Sequence, residues 1–242
     1  MLDQHYMIDG KILMRMCNVA NLTRNDTVLE IGGGTGNLTS YLRKIAKHVY
    51  VIEKDKKHVG PLTERFAHAD NITLIFDDAS KIDFPTFDKC ISNLPYTICE
   101  SLLWKFTRYK FELLVLVVPE GFADRLVGNK KSRLKLLVDA FYDVELMATI
   151  PPQAFDPPPK IWSTMIKITP KENGNFFLKE LLSQYDKKTK NAVREIFIRS
   201  GLSKKEAIEQ IGVKIRPALQ NKKIAQLSLA EIKDIVKSFT QQ

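Results

Sequence analysis

Asn93-Leu94-Pro95-Tyr96 is a run whose residue types could activate an amine. The exocyclic amine of a nucleobase is a poor nucleophile because its lone pair is delocalised into the ring. Accepting hydrogen bonds from both of its N–H groups draws the nitrogen toward a tetrahedral geometry and frees that pair for attack. The Asn93 side-chain oxygen and the Leu94 carbonyl could supply the two acceptors, with Pro95 stiffening the turn that aims them. Tyr96 could then stack on the base. An isolated run of this kind is more often a plain turn with a proline and an aromatic, so its chemical reading depends on what precedes it.

What precedes it is Val28-Leu29-Glu30-Ile31-Gly32-Gly33-Gly34-Thr35-Gly36, a short apolar strand, a tight turn and the start of a helix. The spacing is E-x-G-x-G-x-G and not the G-x-G-x-x-G of a pyrophosphate-binding turn. Glu30 sits where a carboxylate can attract a cationic amino-acid group, so the loop suits S-adenosylmethionine better than a phosphate. Glu53 closes a second strand over 48–52 and stands 17 residues after Gly36, near the offset at which an acid accepts from ribose hydroxyls. Asp77 and Asp78 follow a third strand over 72–76. One of them could accept the adenine amino group while the other caps the next turn, and spacing does not choose between them.

The elements that must position these residues alternate between strand and helix, which makes the class α/β. Gln4-His5-Tyr6-Met7-Ile8-Asp9 leads into a helix over 10–20, with Ile12, Leu13, Met16 and Val19 at helical spacing, and that helix is expected to cover the glycine turn. A fourth strand delivers Asn93, and a fifth over 111–119 is followed by a helix over 120–127. The charged segment 129–133, a helix to Phe141 and a strand near 144–149 come next. The proline-rich loop 151–160 reads as a rigid connector whose Phe155, taken as exposed, could be a second stacking surface. A last strand spans 161–169. From Lys171 the pattern is purely helical, with Gly201 placed as a C-terminal cap and capping boxes at Ser203–Glu206 and Ser228–Glu231. The expected division is a ligand-binding domain over 1–170 and a basic helical domain over 171–242.

Composition narrows the class further. The three cysteines, Cys17, Cys90 and Cys99, form no C-x-x-C pair, so neither a disulfide framework nor a metal site is expected. No secretory pattern opens the sequence, and no apolar run approaches the roughly 20 residues that span a bilayer, so a soluble cytoplasmic protein is expected. The formal net charge is +9, and residues 171–242 hold 15 Lys and Arg against 8 Asp and Glu. A basic surplus lying outside the ligand-binding part suits a catalytic domain with a nucleic-acid-gripping appendage.

Four motifs in order resemble the small-subunit ribosomal RNA adenine dimethyltransferases, the KsgA-like family, from about Gln4 to Lys171. They are Gln4 to Asp9 (Q-N/H-F-L-x-D), Glu30 to Gly36 (E-x-G-x-G-x-G), Asn93 to Ile98 (N-L-P-Y-x-I) and Phe155 to Lys160 (F-x-P-P-P-K). The resemblance implies a Rossmann-type class I methyltransferase sheet whose last strand is antiparallel, followed by a small all-α domain that helps hold RNA. It implies that His5, Met7, Gly32, Glu53, Asp78 and Asn93 contact S-adenosylmethionine, with Asp78 chosen because it occupies the D of the family's D-A motif. Gln4, Glu30, Gly34, Gly36 and Ala79, in the same motifs, join them as cofactor-site candidates; Asn93, Leu94, Pro95, Tyr96 and Phe155 are the candidates for target-base chemistry. The implied reaction places two methyl groups on N6 of each of two adjacent adenosines near the 3′ end of small-subunit rRNA. The implied partner is that rRNA within an immature subunit, bound by a monomer. Thr97, Cys99, Pro119-Glu120 and the loop near Gly128 depart from the usual pattern, at places that bear on RNA contacts more than on chemistry. Two alternatives share parts of this evidence: a large-subunit rRNA adenine methyltransferase of the antibiotic-resistance type, whose motif more often reads N-I-P-Y, and an assembly factor that binds RNA without methylating it.

Overall fold

The computed structural model describes residues 4–171 and 176–240. The chain divides into two compact units, Met1–Val127 with Asp143–Pro170, and Gly128–Tyr142 with Lys171–Gln242. In chain order the first part gives β1 (Tyr6–Met7), α1 (Gly10–Val19), β2 (Thr27–Ile31), α2 (Asn37–Leu42), β3 (His48–Ile52), α3 (Val59–Arg65), β4 (Ile72–Ile75), β5 (Lys89–Asn93), α4 (Cys99–Phe106), β6 (Leu113–Pro119) and α5 (Glu120–Val127). Then follow α6 (Arg133–Phe141), β7 (Tyr142–Ile150), β8 (Phe155–Asp156) and β9 (Ser163–Pro170). The remaining helices are α7 (Phe176–Ser183), α8 (Thr189–Arg199), α9 (Lys204–Lys214), α10 (Pro217–Gln220) and α11 (Leu229–Thr240).

A seven-stranded sheet runs in the order β4-β3-β2-β5-β6-β9-β7. The five strands from β4 to β6 are parallel, and β9 lies antiparallel to β6, as the family resemblance implies. Val28, Leu29, Cys90, Ile91 and Leu114 to Val118 are inaccessible to solvent. Continuous apolar runs of this kind belong to parallel strands with both faces covered. The chain leaves β2 to build β3 and β4 on one side, then returns to lay β5 and β6 on the other. The reversal places a crevice at the carboxyl end of β2, the usual ligand position in open α/β sheets. The glycine turn begins there.

Asp9 caps α1 by accepting from the Lys11 and Ile12 amides. Just before it, β1 pairs antiparallel with β8, Tyr6 opposite Asp156 and Met7 opposite Phe155, and Ile8 N donates to Ala154 O at 2.9 Å. This corrects the reading of Phe155: it is 2 % exposed, in the core with Met7, and is not a stacking surface open to a base. The proline-rich loop instead fastens the N-terminal segment.

The boundary between the units also differs from the expected one, because residues 128–142 join the helical unit. Leu134, Leu137 and Val138 on α6 are buried, and α6 packs against α7 and α11. The unit has its own core, including Leu181, Val193, Ile211 and Ile235, and a ring cluster of Phe177, Phe197 and Phe239. Both expected capping boxes form, Ser203 with Glu206 and Ser228 with Glu231, and Gly201 has φ +99°. With this boundary, the helical unit carries 19 Lys and Arg against 9 Asp and Glu, a net +10, and the sheet unit is left at −1.

The packing role of Phe155 is testable. Phe155→Ala should lower unfolding stability by about 3–5 kcal/mol, as for other buried phenylalanines, and Phe155→Leu by much less. Denaturant melts showing an unchanged midpoint for Phe155→Ala would contradict it.

Candidate functional site

The parallel strands bring their carboxyl ends to one edge of the sheet, and each delivers one part of the site there. After β2 the chain turns through Gly32 to Gly36. Gly34 has φ +52°, and a Cβ on it would stand 2.8 Å from the Tyr6 ring; Gly36 has φ +79°, and a Cβ there would stand 2.8 Å from Phe66. Side chains are excluded at both positions by conformation and by space together. A Cβ on Gly32 would stand 3.4 Å from the Pro95 ring, so the glycine turn and the turn after β5 lie side by side.

After β3 comes Glu53, a buried carboxylate whose Oε2 accepts from Gly34 N at 2.8 Å and whose Oε1 accepts from Asp55 N at 2.7 Å. Asp55 in turn accepts from Gln4 Nε2 at 3.0 Å, and the Tyr6 hydroxyl donates to Gln4 Oε1 at 2.8 Å while lying 2.9 Å from His58 Nε2. Asn37 Nδ2 donates to Met7 O at 3.0 Å. The N-terminal segment is therefore strapped over the glycine turn by side chains of both neighbouring loops.

After β4, Asp78 faces Lys54 at 2.8 Å and accepts from the Ser80 hydroxyl at 2.6 Å and amide at 3.0 Å. Lys54 above all, and Ser80 with it, hold the Asp78 carboxyl well below the usual carboxylate range. Asp77 is exposed, and Ala79 is buried with its carbonyl taken by Lys105 Nζ at 2.6 Å. Asp78 thus caps the turn and is also the residue that the family likeness puts at the cofactor, so the division of roles expected from spacing does not hold: one aspartate is the candidate for both.

After β5, Asn93 donates from Nδ2 to His5 O at 2.9 Å. That bond fixes the amide, and its other atom, Oδ1, is buried without a hydrogen-bond partner among the described residues. Leu94 is buried and donates its N–H to Val117 O at 3.1 Å. Tyr96 is half-buried with its hydroxyl 2.6 Å from Ser163 Oγ and its ring 6.1 Å from the His5 ring. Burial raises the Tyr96 phenol above its ordinary range. Its hydroxyl is therefore not idle: Tyr96→Phe would strip a fully buried serine of its partner.

A cleft at this edge is lined by Met7, Glu30, Gly32, Gly34 and Asn93, which the sequence singled out, and by Tyr6, Gly33, Thr35, Asn37 and Leu38, which it did not. Tyr6 lies inside a quoted motif, Gly33 and Thr35 lie at the variable positions of theirs, and Asn37 and Leu38 follow the last glycine, so position beside a motif residue was the signal available for them. Gln4, His5, Gly36, Glu53, Asp78 and Ala79 are not part of this lining. Gln4, His5 and Glu53 hold lining residues in place, and Gly36 opens α2 against Phe66. Glu30 is fully enclosed and accepts from the Thr39 hydroxyl at 2.6 Å. Burial pushes its carboxyl up to about 8, against that hydrogen bond, and the Glu53 charge adds to the rise.

A cleft lined by Glu30 and a glycine cradle, next to an amide oxygen without a partner among the described residues, can hold a cationic ligand and present an acceptor to a second molecule. The family described as ribosomal RNA adenine dimethylase matches residues 1–241. A probable ribosomal RNA small subunit methyltransferase A of Methanosarcina mazei is 37% identical over 96% of this chain and 90% of its own length. The crystal structure of a dimethyladenosine transferase from Plasmodium falciparum superposes with a TM-score of 0.73 at 27% identity, covering 97% of each chain. That of the 23S rRNA methyltransferase ErmE gives 0.65 at 18% identity over 98% of this chain and 100% of its own, a likeness of fold. The chain belongs to the ribosomal RNA adenine dimethylase family.

Proposed function

We propose that this protein transfers methyl groups from S-adenosylmethionine to N6 of two adjacent adenosines near the 3′ end of small-subunit rRNA. The observation that carries the reading is Asn93 Oδ1, a buried acceptor without a partner among the described residues, held beside the glycine cleft by the His5 carbonyl. Bound S-adenosylmethionine supplies a methyl group made electrophilic by its sulfonium. In the first transfer Asn93 Oδ1 and the Leu94 carbonyl accept from the two amine N–H groups of the target, and in the second from the one that remains, so that the lone pair turns toward that methyl and the proton displaced each time passes to solvent. Tyr96 stacks on the adenine, its ring fixed by the Ser163 contact. Glu53 has spent one lone-pair site on each oxygen, and the remaining sites of a carboxylate suffice for ribose hydroxyls. Asp78 and Ala79, after β4, serve the adenine end of the cofactor.

That the relatives are small-subunit methyltransferases by name supports this reading over a large-subunit target. The helical unit, at +10, supplies the grip on RNA, and the sheet unit, at −1, keeps its carboxylates for the cationic cofactor. We assign the substrate to rRNA in an immature subunit, recognised by a monomer in the cytoplasm.

Asn93→Ala should cut the methyl-transfer rate by roughly 100-fold or more at saturating cofactor, with RNA affinity little changed. Single-turnover assays giving the wild-type rate would make the Asn93 turn structural.

Glu30 generates a pH signature. Its carboxyl, raised to about 8 in the free protein, is protonated at neutral pH; a cation bound beside it favours the charged form. Cofactor binding should therefore release a proton at pH 7, and affinity should rise with pH toward 8 and then level off. Calorimetry in buffers of different ionisation enthalpy reads the proton directly, and Glu30→Gln should abolish that release. Equal proton release by the variant would exclude Glu30 as its source.

Replacing the exposed Lys130, Lys131, Lys204 and Lys205 with Gln should reduce the slope of log affinity against log salt by about 1 for each phosphate that is no longer neutralised. Cofactor affinity should stay constant. Superimposable salt plots would place the RNA grip elsewhere.

A further inference from the structure

One aromatic at the active edge of the sheet is used neither by the core nor by the site described above. Because β9 runs antiparallel to β6, its first residue, Ser163, lies opposite Pro119, at the edge where the parallel strands end. Trp162 immediately precedes it. Its carbonyl accepts from Glu120 N at 3.0 Å, and the next residue, Ser163, is fully buried and 2.6 Å from the Tyr96 hydroxyl. The Trp162 backbone is thus pinned from two sides, and one of the pins is the ring assigned to the target base. Its side chain is 48% exposed, beside Ile161 at 51% and an exposed Lys160. A single exposed apolar side chain needs no explanation. An indole on a fixed backbone, next in the chain to the serine that contacts Tyr96 and two residues from a lysine, has the make-up of a nucleotide platform: an aromatic face for an unstacked base and a cation for its phosphate.

We propose that Trp162 stacks on a nucleobase next to the target adenine, with Lys160 contacting the adjoining phosphate. The inference rests on the methyltransferase reading and extends it from the target base to its neighbour. A base pulled out of a strand leaves its neighbour with one face unstacked, and Trp162 offers that face a replacement. The indole touches neither the cofactor nor the reacting nitrogen, so its contribution lies in capture and register of the RNA.

The chain contains two tryptophans, Trp104 and Trp162, so Trp104→Phe leaves Trp162 as the sole indole reporter. The probe is a synthetic RNA hairpin with two adjacent adenosines in its loop, alongside the same hairpin made abasic at either flanking nucleotide. Binding of the intact hairpin should quench the Trp162 fluorescence, and one abasic hairpin should bind without that quenching. In the otherwise wild-type full-length protein, Trp162→Ala should raise the KM for RNA by roughly 5- to 150-fold, the range expected for removing one base–aromatic stack, while kcat and cofactor affinity hold. Trp162→Phe should recover most of the loss. An unchanged KM in Trp162→Ala, or quenching indifferent to both abasic positions, overturns the platform. If the wild-type protein binds the hairpin but methylates no adenosine in any small-subunit RNA, the proposed function falls instead, and the fluorescence arm still decides the role of Trp162.

Discussion

The Glu53 carboxylate holds the turn after β2 and the turn after β3 in one arrangement, accepting from Gly34 N at 2.8 Å and from Asp55 N at 2.7 Å. A buried carboxylate is costly unless hydrogen bonds replace its lost water, and backbone donors are rigid replacements. With Asp55 fixed, Gln4 and Tyr6 are fixed in turn, and Tyr6 fills the space over Gly34 that a Cβ would occupy. The strap then runs on through Met7, held by Asn37 and paired with Phe155, while the carbonyl of His5 takes the Asn93 amide. A closed circuit of contacts leads from the ribose-side acid to the amide assigned to the target base. The geometry of Asn93 therefore depends on residues about 90 positions earlier in the chain.

Two glutamates stand on neighbouring strands, Glu30 within β2 and Glu53 just after β3, and the protein holds them differently. Glu53 receives a backbone N–H bond on each oxygen, whereas Glu30 is enclosed beside Thr39, whose hydroxyl and backbone both bond it, and burial still pushes its carboxyl up to about 8. At Glu30 burial opposes the charge more strongly than the Thr39 bonds favour it. One acid is a permanent anchor for the loops. The other is an anion that a cationic ligand must call into being, which makes it responsive to what the cleft contains.

The parts legible in the sequence were those with a local rule. Three glycines at fixed spacing, an acid at each strand end, serine-to-glutamate capping boxes and the order of the strands all follow from near neighbours in the chain. The antiparallel last strand came from the family likeness. Phe155 was misread because β1 and β8 are two residues each, too short to show an alternating pattern, and a proline-rich loop gives no period by which inside is told from outside. The helix ending at Phe141 was legible, but a helix in the sequence does not say which of two cores it packs against. The Tyr96–Ser163 contact joins residues 67 positions apart and had no local signal at all.

The division of charge between the units answers a conflict in what such an enzyme binds. A cofactor carrying a sulfonium is favoured by carboxylates and opposed by nearby lysines, whereas RNA demands the reverse. A single surface optimised for one would weaken the other. Here the sheet unit is close to neutral at −1, and the unit at +10 has its own core of Leu181, Val193, Ile211 and Ile235. Exposed lysines on that second unit can be added or removed without disturbing the hydrogen bonds around Glu53 or the amide of Asn93. On the reading proposed above, the charge that grips RNA phosphates lies on other residues than those that hold the target amine, so the strength of that grip can be tuned while the chemistry stays fixed.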